Sequence, residues 1–247
     1  MWVYVLNARK RIQVGKNKLA RWAELEQMDF VLQPCFDEVY KRDYVLKGHW
    51  GEGFFHNENP IVLELGCGKG EYTVGLAEKF PGKNFIGIDI KGARMWRGAV
   101  NARNKGLKNV AFLRSRVELL HSFFDRGEVS EIWLTFPDPQ PGKRREKRRL
   151  THPRFLEMYR NILKPGGYVH LKTDNVDLFQ YSLEVIRLNK FLLEESTIDL
   201  YGENKDGIVF RIRTFYEKQF LEEGKKICYL RFVPKGKQPI KNPVHEE

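Results

Sequence analysis

Cysteine is scarce in these 247 residues: Cys35, Cys67 and Cys228 are odd in number, widely separated and form no CxxC pair. A disulfide framework and a zinc site built on paired thiolates are therefore not expected, and a reducing, cytoplasmic setting is. No apolar run reaches the roughly 18 to 20 residues that a membrane-crossing helix needs, and Met1 to Lys10 lacks the apolar stretch of a signal peptide. Neither membrane insertion nor secretion is expected. Negative charge is in deficit: 32 Asp+Glu stand against 43 Lys+Arg, a formal net charge of +11. Such an excess draws a protein to polyanions, nucleic acid foremost. No internal repeat is present. With 42% hydrophobic residues the chain is long enough to bury a sizeable core.

From Ile61 onward, short β-branched apolar runs alternate with longer amphipathic stretches, the pattern of βα units. Strands are predicted at Ile61 to Leu65, Phe85 to Ile90, Val110 to Leu113, Glu131 to Phe136 and Tyr168 to Thr173. Helices are predicted at Glu71 to Lys79, Ala93 to Lys105, Arg116 to Phe124 and Pro153 to Leu163. A further helix, Val176 to Leu188, leads to strands Leu192 to Leu200 and Ile227 to Val233, with an insertion at 201–224 between them. The fold class is thus α/β: a Rossmann-like, mostly parallel seven-stranded sheet with helices on both faces. Residues 1–50 break the rhythm and read as a basic extension, with Arg9, Lys10, Arg11, Lys16, Lys18 and Arg21 in quick succession. Residues 51–233 form the main domain. The tail, 234–247, is rich in Lys, Pro and Gly and is expected to be mobile.

The run Leu63-Glu64-Leu65-Gly66-Cys67-Gly68-Lys69-Gly70 passes from a buried strand straight into a helix, and Gly66, Gly68 and Gly70 let the backbone turn tightly against a ligand. A dinucleotide fingerprint would space its glycines GxGxxG and hold a pyrophosphate; the shorter GxGxG suits S-adenosylmethionine, which has no phosphate. Asp89, at the end of the second strand, is placed to accept hydrogen bonds from ribose hydroxyls. Glu64, inside the first strand, needs a partner to be buried, either the cofactor's ammonium or a loop N–H. Ser115, after the third strand, sits where an adenine contact is expected, with Arg116 beside it; an ordinary helix N-cap is the alternative.

The fourth strand ends in Phe136-Pro137-Asp138-Pro139, and ligands in open α/β sheets sit at the carboxyl ends of strands beside the topological switch. Asp138 is therefore expected to face the reacting methyl, stiffened by its flanking prolines. Next come six cations in seven residues, Lys143 to Arg149, interrupted by Glu146. Emerging from the same rim, they read as a phosphate-binding surface. Asp174 follows Lys172-Thr173 and either lines that rim or caps the next helix. Thr214 and Glu217 have the spacing of a capping box.

These motifs together resemble the bacterial tRNA (guanine-N7)-methyltransferases, within the Rossmann-like S-adenosylmethionine-dependent methyltransferases. The similarity runs from about Ile61 to Val233 through Leu63 to Gly70, Gly87-Ile88-Asp89, Phe136-Pro137-Asp138-Pro139 with its cationic cluster, Lys172-Thr173-Asp174-Asn175 and Thr214-Phe215-Tyr216-Glu217. The resemblance implies an enzyme that methylates guanine 46 in the tRNA variable loop. It implies that Glu64, Asp89, a residue near Ser115 and Asp138 surround the cofactor, with Asp138 also catalytic. It further implies that Lys143, Asp174 and the segment from Thr214 to Glu217 contact the tRNA or its guanine. Three positions depart from the family pattern: Gln140 stands where Trp is usual, Gly142 takes the place of a first lysine, and Ser115 replaces an Asp or Asn. The rival readings are a nucleic-acid methyltransferase acting on an exocyclic amine and an RNA-binding protein that has lost transfer. No obligate protein partner is evident from the sequence.

Overall fold

The computed structural model describes residues 19–202 and 207–243. Its strands are β1 (Val31–Leu32), β2 (Ile61–Leu65), β3 (Asn84–Asp89), β4 (Val110–Arg114), β5 (Val129–Thr135), β6 (Leu163–Thr173), β7 (Leu192–Thr197) and β8 (Cys228–Val233). Helix α1 covers residues 19–26. It is followed by α2 (Phe36–Val39), α3 (Glu71–Lys79), α4 (Gly92–Asn104), α5 (Leu120–Phe123), α6 (Pro153–Ile162), α7 (Val176–Leu188), α8 (Ile208–Arg211) and α9 (Phe215–Glu222). The strands make one sheet in the order β1-β4-β3-β2-β5-β6-β8-β7, in which β8 runs antiparallel to both of its neighbours.

The central strands are buried on both faces, so their sequences read as unbroken apolar runs rather than alternations. On β2, Ile61, Leu63 and Leu65 enter one core with residues of α5, α6 and α7, while Val62 enters a second core with residues of α1, α3 and α4. Sheet order reverses between β2 and β5, where β2 pairs with β3 on one side and β5 on the other. That reversal opens a crevice at the carboxyl ends of these strands. Among the described residues no helix is long and apolar enough to cross a membrane.

The expected boundaries of β2, α3 and α7 coincide with those observed. One expectation is corrected. The sheet has eight strands rather than seven, because Val31 and Leu32 pair in parallel with Phe112 and Leu113 of β4. A two-residue strand is too short to show a period. The described part of the extension, residues 19–50, is packed against the main domain: Leu25 and Trp50 are fully buried, and the Trp50 indole donates to the Phe123 carbonyl at 2.8 Å. Of its early cations, Arg21 lies over the Trp96 ring, and those before residue 19 fall outside the described residues. The tail is docked as far as it is described. Ile240 N–H donates to Glu157, Lys241 N–H to Asn189, and Arg160 to the Gln238 carbonyl. Ile240 packs against the main core, and polar bonds to α6 and to the end of α7 add to that apolar contact.

Candidate active site

The loop after β2 wraps over the end of β3. Gly66 and Cys67 N–H both donate to the Ile88 carbonyl, at 2.8 and 3.0 Å. Gly66, Gly68 and Gly70 all have positive φ, at 75°, 55° and 66°. They are not equivalent. A Cβ on Gly66 would meet nothing within 4 Å, so that position faces open space, whereas a Cβ on Gly70 would lie 2.6 Å from the Phe112 ring. Gly70 thus serves helix–strand packing, and Gly66 leaves the cradle into which a ligand can settle. Asp89 borders the cradle, half-exposed, its carboxylate fixed by the Gly68 N–H at 2.9 Å and the Lys91 N–H at 2.7 Å. Ser115 follows β4 on the same rim and donates to the Arg116 carbonyl at 3.4 Å. It caps no helix: the residue preceding the next helical turn is Arg116.

Glu64 lies beneath this cradle and is 3% exposed. Its protein partners lie on α3 and β5 rather than on the glycine loop. The Thr73 N–H donates to Oε2 at 2.7 Å, the Thr73 hydroxyl bonds the same oxygen, and the Thr135 hydroxyl donates to Oε1 at 2.5 Å. Burial dominates these donors and raises the carboxyl to about 7. Glu64 therefore ties the first turn of α3 to the last residue of β5, shaping the site from below. Sequence reasoning misses Thr73 and Thr135, since nothing local marks a threonine as a partner for a buried acid.

Beyond Thr135, Phe136 takes a left-handed φ of 48° and its N–H donates to the Lys172 carbonyl at 2.7 Å. The chain turns out of the sheet there and presents Asp138, exposed, with Oδ1 accepting from the Gln140 N–H at 3.1 Å. Asp174 follows the neighbouring β6, paired with Lys225 at 3.5 Å. The cap of α7 is Asn175, whose side chain accepts from the Leu178 N–H, so Asp174 is not needed for that role. Asp89, the glycine loop, Asp138 and Asp174 thus occupy the carboxyl ends of four adjacent strands, β3-β2-β5-β6.

The cationic run is an ordered turn, a 3₁₀ helix over Lys143–Arg148. Lys143, Arg144, Arg145, Lys147 and Arg148 are exposed, while Glu146 is buried and Arg149 lies over the Tyr181 ring at 4.4 Å. One acid turned inward lets five cations turn outward.

Thr214 and Glu217 do form the capping box of α9. Glu217 is fully buried, and its carboxylate meets the Lys172 ammonium at 2.7 Å and accepts from the Tyr201 hydroxyl at 2.5 Å. It faces the sheet. What the segment presents outward is Phe215 and Tyr216, each 43% exposed, with the Lys69 ammonium of the glycine loop 3.5 Å from the Phe215 ring centroid. Lys172 is visible in sequence only as part of a motif. The period-2 placement of Tyr168, His170 and Lys172 on one strand face is the available signal for it. A separate hollow of about 460 Å³ lies on the sheet face, lined by Trp133, His170, Tyr229 and Arg231 among others. None of the residues lining it belongs to the loops that follow β2, β3, β5 and β6.

A family model described as "Putative methyltransferase" matches residues 58–230. The chain is 52% identical over 219 residues to a tRNA (guanine-N(7)-)-methyltransferase of Christiangramia forsetii, covering 88% of this chain and 98% of that protein. It is 54% identical over 211 residues to one from Porphyromonas gingivalis, covering 84% and 86%. The chain belongs to the tRNA (guanine-N7)-methyltransferase family. Among solved structures, the 16S rRNA methyltransferase KamB aligns with a TM-score of 0.57 at 16% identity, covering 73% of this chain and 90% of that one. That likeness shows the Rossmann-like methyltransferase fold. Within the family, the open cradle at Gly66 and the fixed carboxylate of Asp89 suit a nucleoside-like cofactor that needs hydroxyl acceptors and no phosphate site.

Proposed function

We propose that this chain binds S-adenosylmethionine across the β3-β2-β5 rim and transfers its methyl to N7 of guanine 46 in the tRNA variable loop. One juxtaposition carries the reading. The open glycine cradle after β2 adjoins the exposed carboxylate of Asp138 after the neighbouring β5, and the outward cations of the 3₁₀ turn follow Asp138 in the same connection.

When bound, S-adenosylmethionine supplies an electrophilic methyl carried on a sulfonium. Asp89, already oriented by two backbone N–H groups, accepts the ribose hydroxyls, and Gly66 and Gly68 let the main chain approach. Ser115 borders the adenine. Glu64 contributes from below, holding α3 and β5 in register. Guanine N7 has an in-plane lone pair and no proton, so the displacement needs no general base. Positive charge grows on the purine as the bond forms, and a carboxylate held beside that path, Asp138, stabilises it. Asp174 is the acceptor for the N1–H and N2–H donors, which adenine does not offer in that pattern. Lys143 and its exposed neighbours meet the phosphates, while Thr214 and Glu217 build the helix that borders the base. Alignment of nucleophile and methyl accounts for much of the rate, since orientation is worth roughly 7 to 11 kcal/mol. The work is cytoplasmic, where tRNA is modified.

The test is incubation with methyl-labelled cofactor and unmodified tRNA, followed by mapping of the labelled nucleotide. Label in 7-methylguanosine at position 46 is expected. Label on an exocyclic nitrogen would instead assign the chain to amine methylation.

A further inference from the structure

Lys172 is 0% exposed, near the carboxyl end of β6. Taking an ammonium out of water costs several kcal/mol, and an apolar residue of similar size is often as good or better for stability. Its surroundings explain where it is useful. The ammonium sits 2.7 Å from Glu217 Oε1, donates to the Val209 carbonyl at 2.7 Å and the Ile212 carbonyl at 3.2 Å, and reaches the Tyr201 hydroxyl at 3.4 Å. All four acceptors belong to the insertion between β7 and β8. Two are carbonyls at the end of α8, a helix of four residues whose terminal acceptors have few intrahelical donors. The sheet thus carries one buried cation around which the insertion is assembled.

That insertion touches the rim at three places. The Phe215 N–H donates to Glu71 Oε2 at 2.7 Å, Lys69 of the glycine loop lies over the Phe215 ring, and Phe220 packs on Phe136 with ring centroids 5.6 Å apart. Phe136 opens the loop that bears Asp138, and its N–H is held by the carbonyl of Lys172 itself. One residue therefore fixes the insertion through its side chain and the start of the Asp138 loop through its main chain.

We infer that Lys172, through its buried bond to Glu217, is a positioning residue that sets the α8–α9 flap against the glycine loop and the Asp138 loop. Its effect on turnover rests on the methyl-transfer reading; its effect on the flap does not. Burial lowers the Lys172 ammonium to about 8, and the Glu217 carboxylate beside it opposes that shift.

The experiment compares the full chain with Lys172→Met, Glu217→Gln and the double variant, measuring amide hydrogen exchange and the kinetics of tRNA methylation. Lys172→Met is expected to speed exchange about 10-fold or more at residues 208–222 while β2 and β5 keep their protection. It is expected to lower kcat about 10- to 100-fold, the range produced by misplacing reacting groups by about 1 Å. The double variant is expected to be no worse than Lys172→Met, because the same bond is broken in both. Unchanged exchange at residues 208–222 overturns the inference, as does exchange accelerated equally in β2 and β5, which marks a merely structural lysine. Additive kinetic losses overturn it too. If the wild-type chain fails to methylate tRNA, the functional reading falls while the exchange comparison still decides the role of Lys172.

Discussion

The side chain of Asn242, near the end of the described chain, donates to Glu146 Oε1 at 2.6 Å while its own Oδ1 accepts from the Tyr181 hydroxyl at 2.7 Å. Glu146 is the single acid in the cationic turn, and Arg149 lies 3.7 Å from its other oxygen. The tail and α7 together hold that acid inward, which is what turns the neighbouring cations towards solvent.

Replacing Asn242 by Ala should therefore loosen the turn without touching a phosphate-binding cation. A hydrogen bond to a charged group is worth about 1.5–3 kcal/mol, of which only part reaches RNA affinity. A rise of about 3- to 10-fold in tRNA Kd is expected by fluorescence titration, with S-adenosylhomocysteine affinity unchanged. Unaltered tRNA affinity would show that the turn keeps its shape without the tail.

The exposed and inward cations of the turn should separate in a salt titration. Every phosphate that is no longer neutralised reduces the slope of log K against log salt by about 0.7–0.9. Arg144→Ala with Arg148→Ala is expected to flatten the slope while leaving the thermal midpoint in place. Arg149→Ala should do the reverse, lowering the midpoint by removing its stacking on Tyr181 and its ion pair with Glu146. An unchanged slope in the first variant would remove the turn from the RNA interface.

The role of Asp138 is tested by Asp138→Asn, which keeps an acceptor for the Gln140 N–H and removes the charge. Loss of one preorganised electrostatic group at a developing charge costs about 100- to 1,000-fold in rate. That loss is expected in kcat, with cofactor affinity within a few-fold of wild type by calorimetry. Wild-type turnover in this variant would take Asp138 out of the chemistry.

What is legible in the sequence follows a physical division. The run Ile61 to Leu65, the glycines after it and the amphipathic stretch from Glu71 announce a buried parallel strand, a tight turn and a helix, because each is specified by residues next to one another. Asp89 and Asp138 follow from the same logic, as residues at strand ends beside the switch. The remainder depends on pairs distant in sequence. Nothing near Val31 reveals that it will pair with Phe112, nothing near Asn242 points to Glu146, and Thr214 and Glu217 show their capping box without showing that Lys172 waits beneath it. The composition of the tail argues for mobility because it is poor in apolar residues, and in the structure its described part is held by the packing of Ile240 and by polar bonds to α6 and the end of α7.

Glu64 gives a prediction in pH. Its folded value of about 7 lies above the ordinary value of 4.5, so the folded chain holds a proton that the unfolded chain releases. Stability from this group is fully present below about 4.5 and is lost as pH rises through about 7. At 1.36 kcal/mol per unit the change is on the order of 3 kcal/mol at most. Urea unfolding at pH 5 and pH 8 should show a descending component that Glu64→Gln removes, since Gln keeps partners for Thr73 and Thr135 at no cost in charge. An equal pH slope in wild type and variant would place the titration elsewhere.

The two ends of the glycine loop should respond differently to the same added methyl. Gly70→Ala places a Cβ 2.6 Å from the Phe112 ring and 3.2 Å from Gly98 Cα, at a φ of 66°. Overpacking of about 1–3 kcal/mol adds to left-handed strain of about 1–2 kcal/mol, so a lowered urea midpoint is expected before any ligand is considered. Gly66→Ala has the strain at φ 75° without the clash, because its Cβ enters open space. Its stability loss should stay near 1 kcal/mol, while calorimetry with S-adenosylhomocysteine should show affinity down about 10-fold or more as the methyl occupies the cradle. If Gly66→Ala bound this ligand as tightly as wild type, the space in front of Gly66 would not be where the cofactor lies.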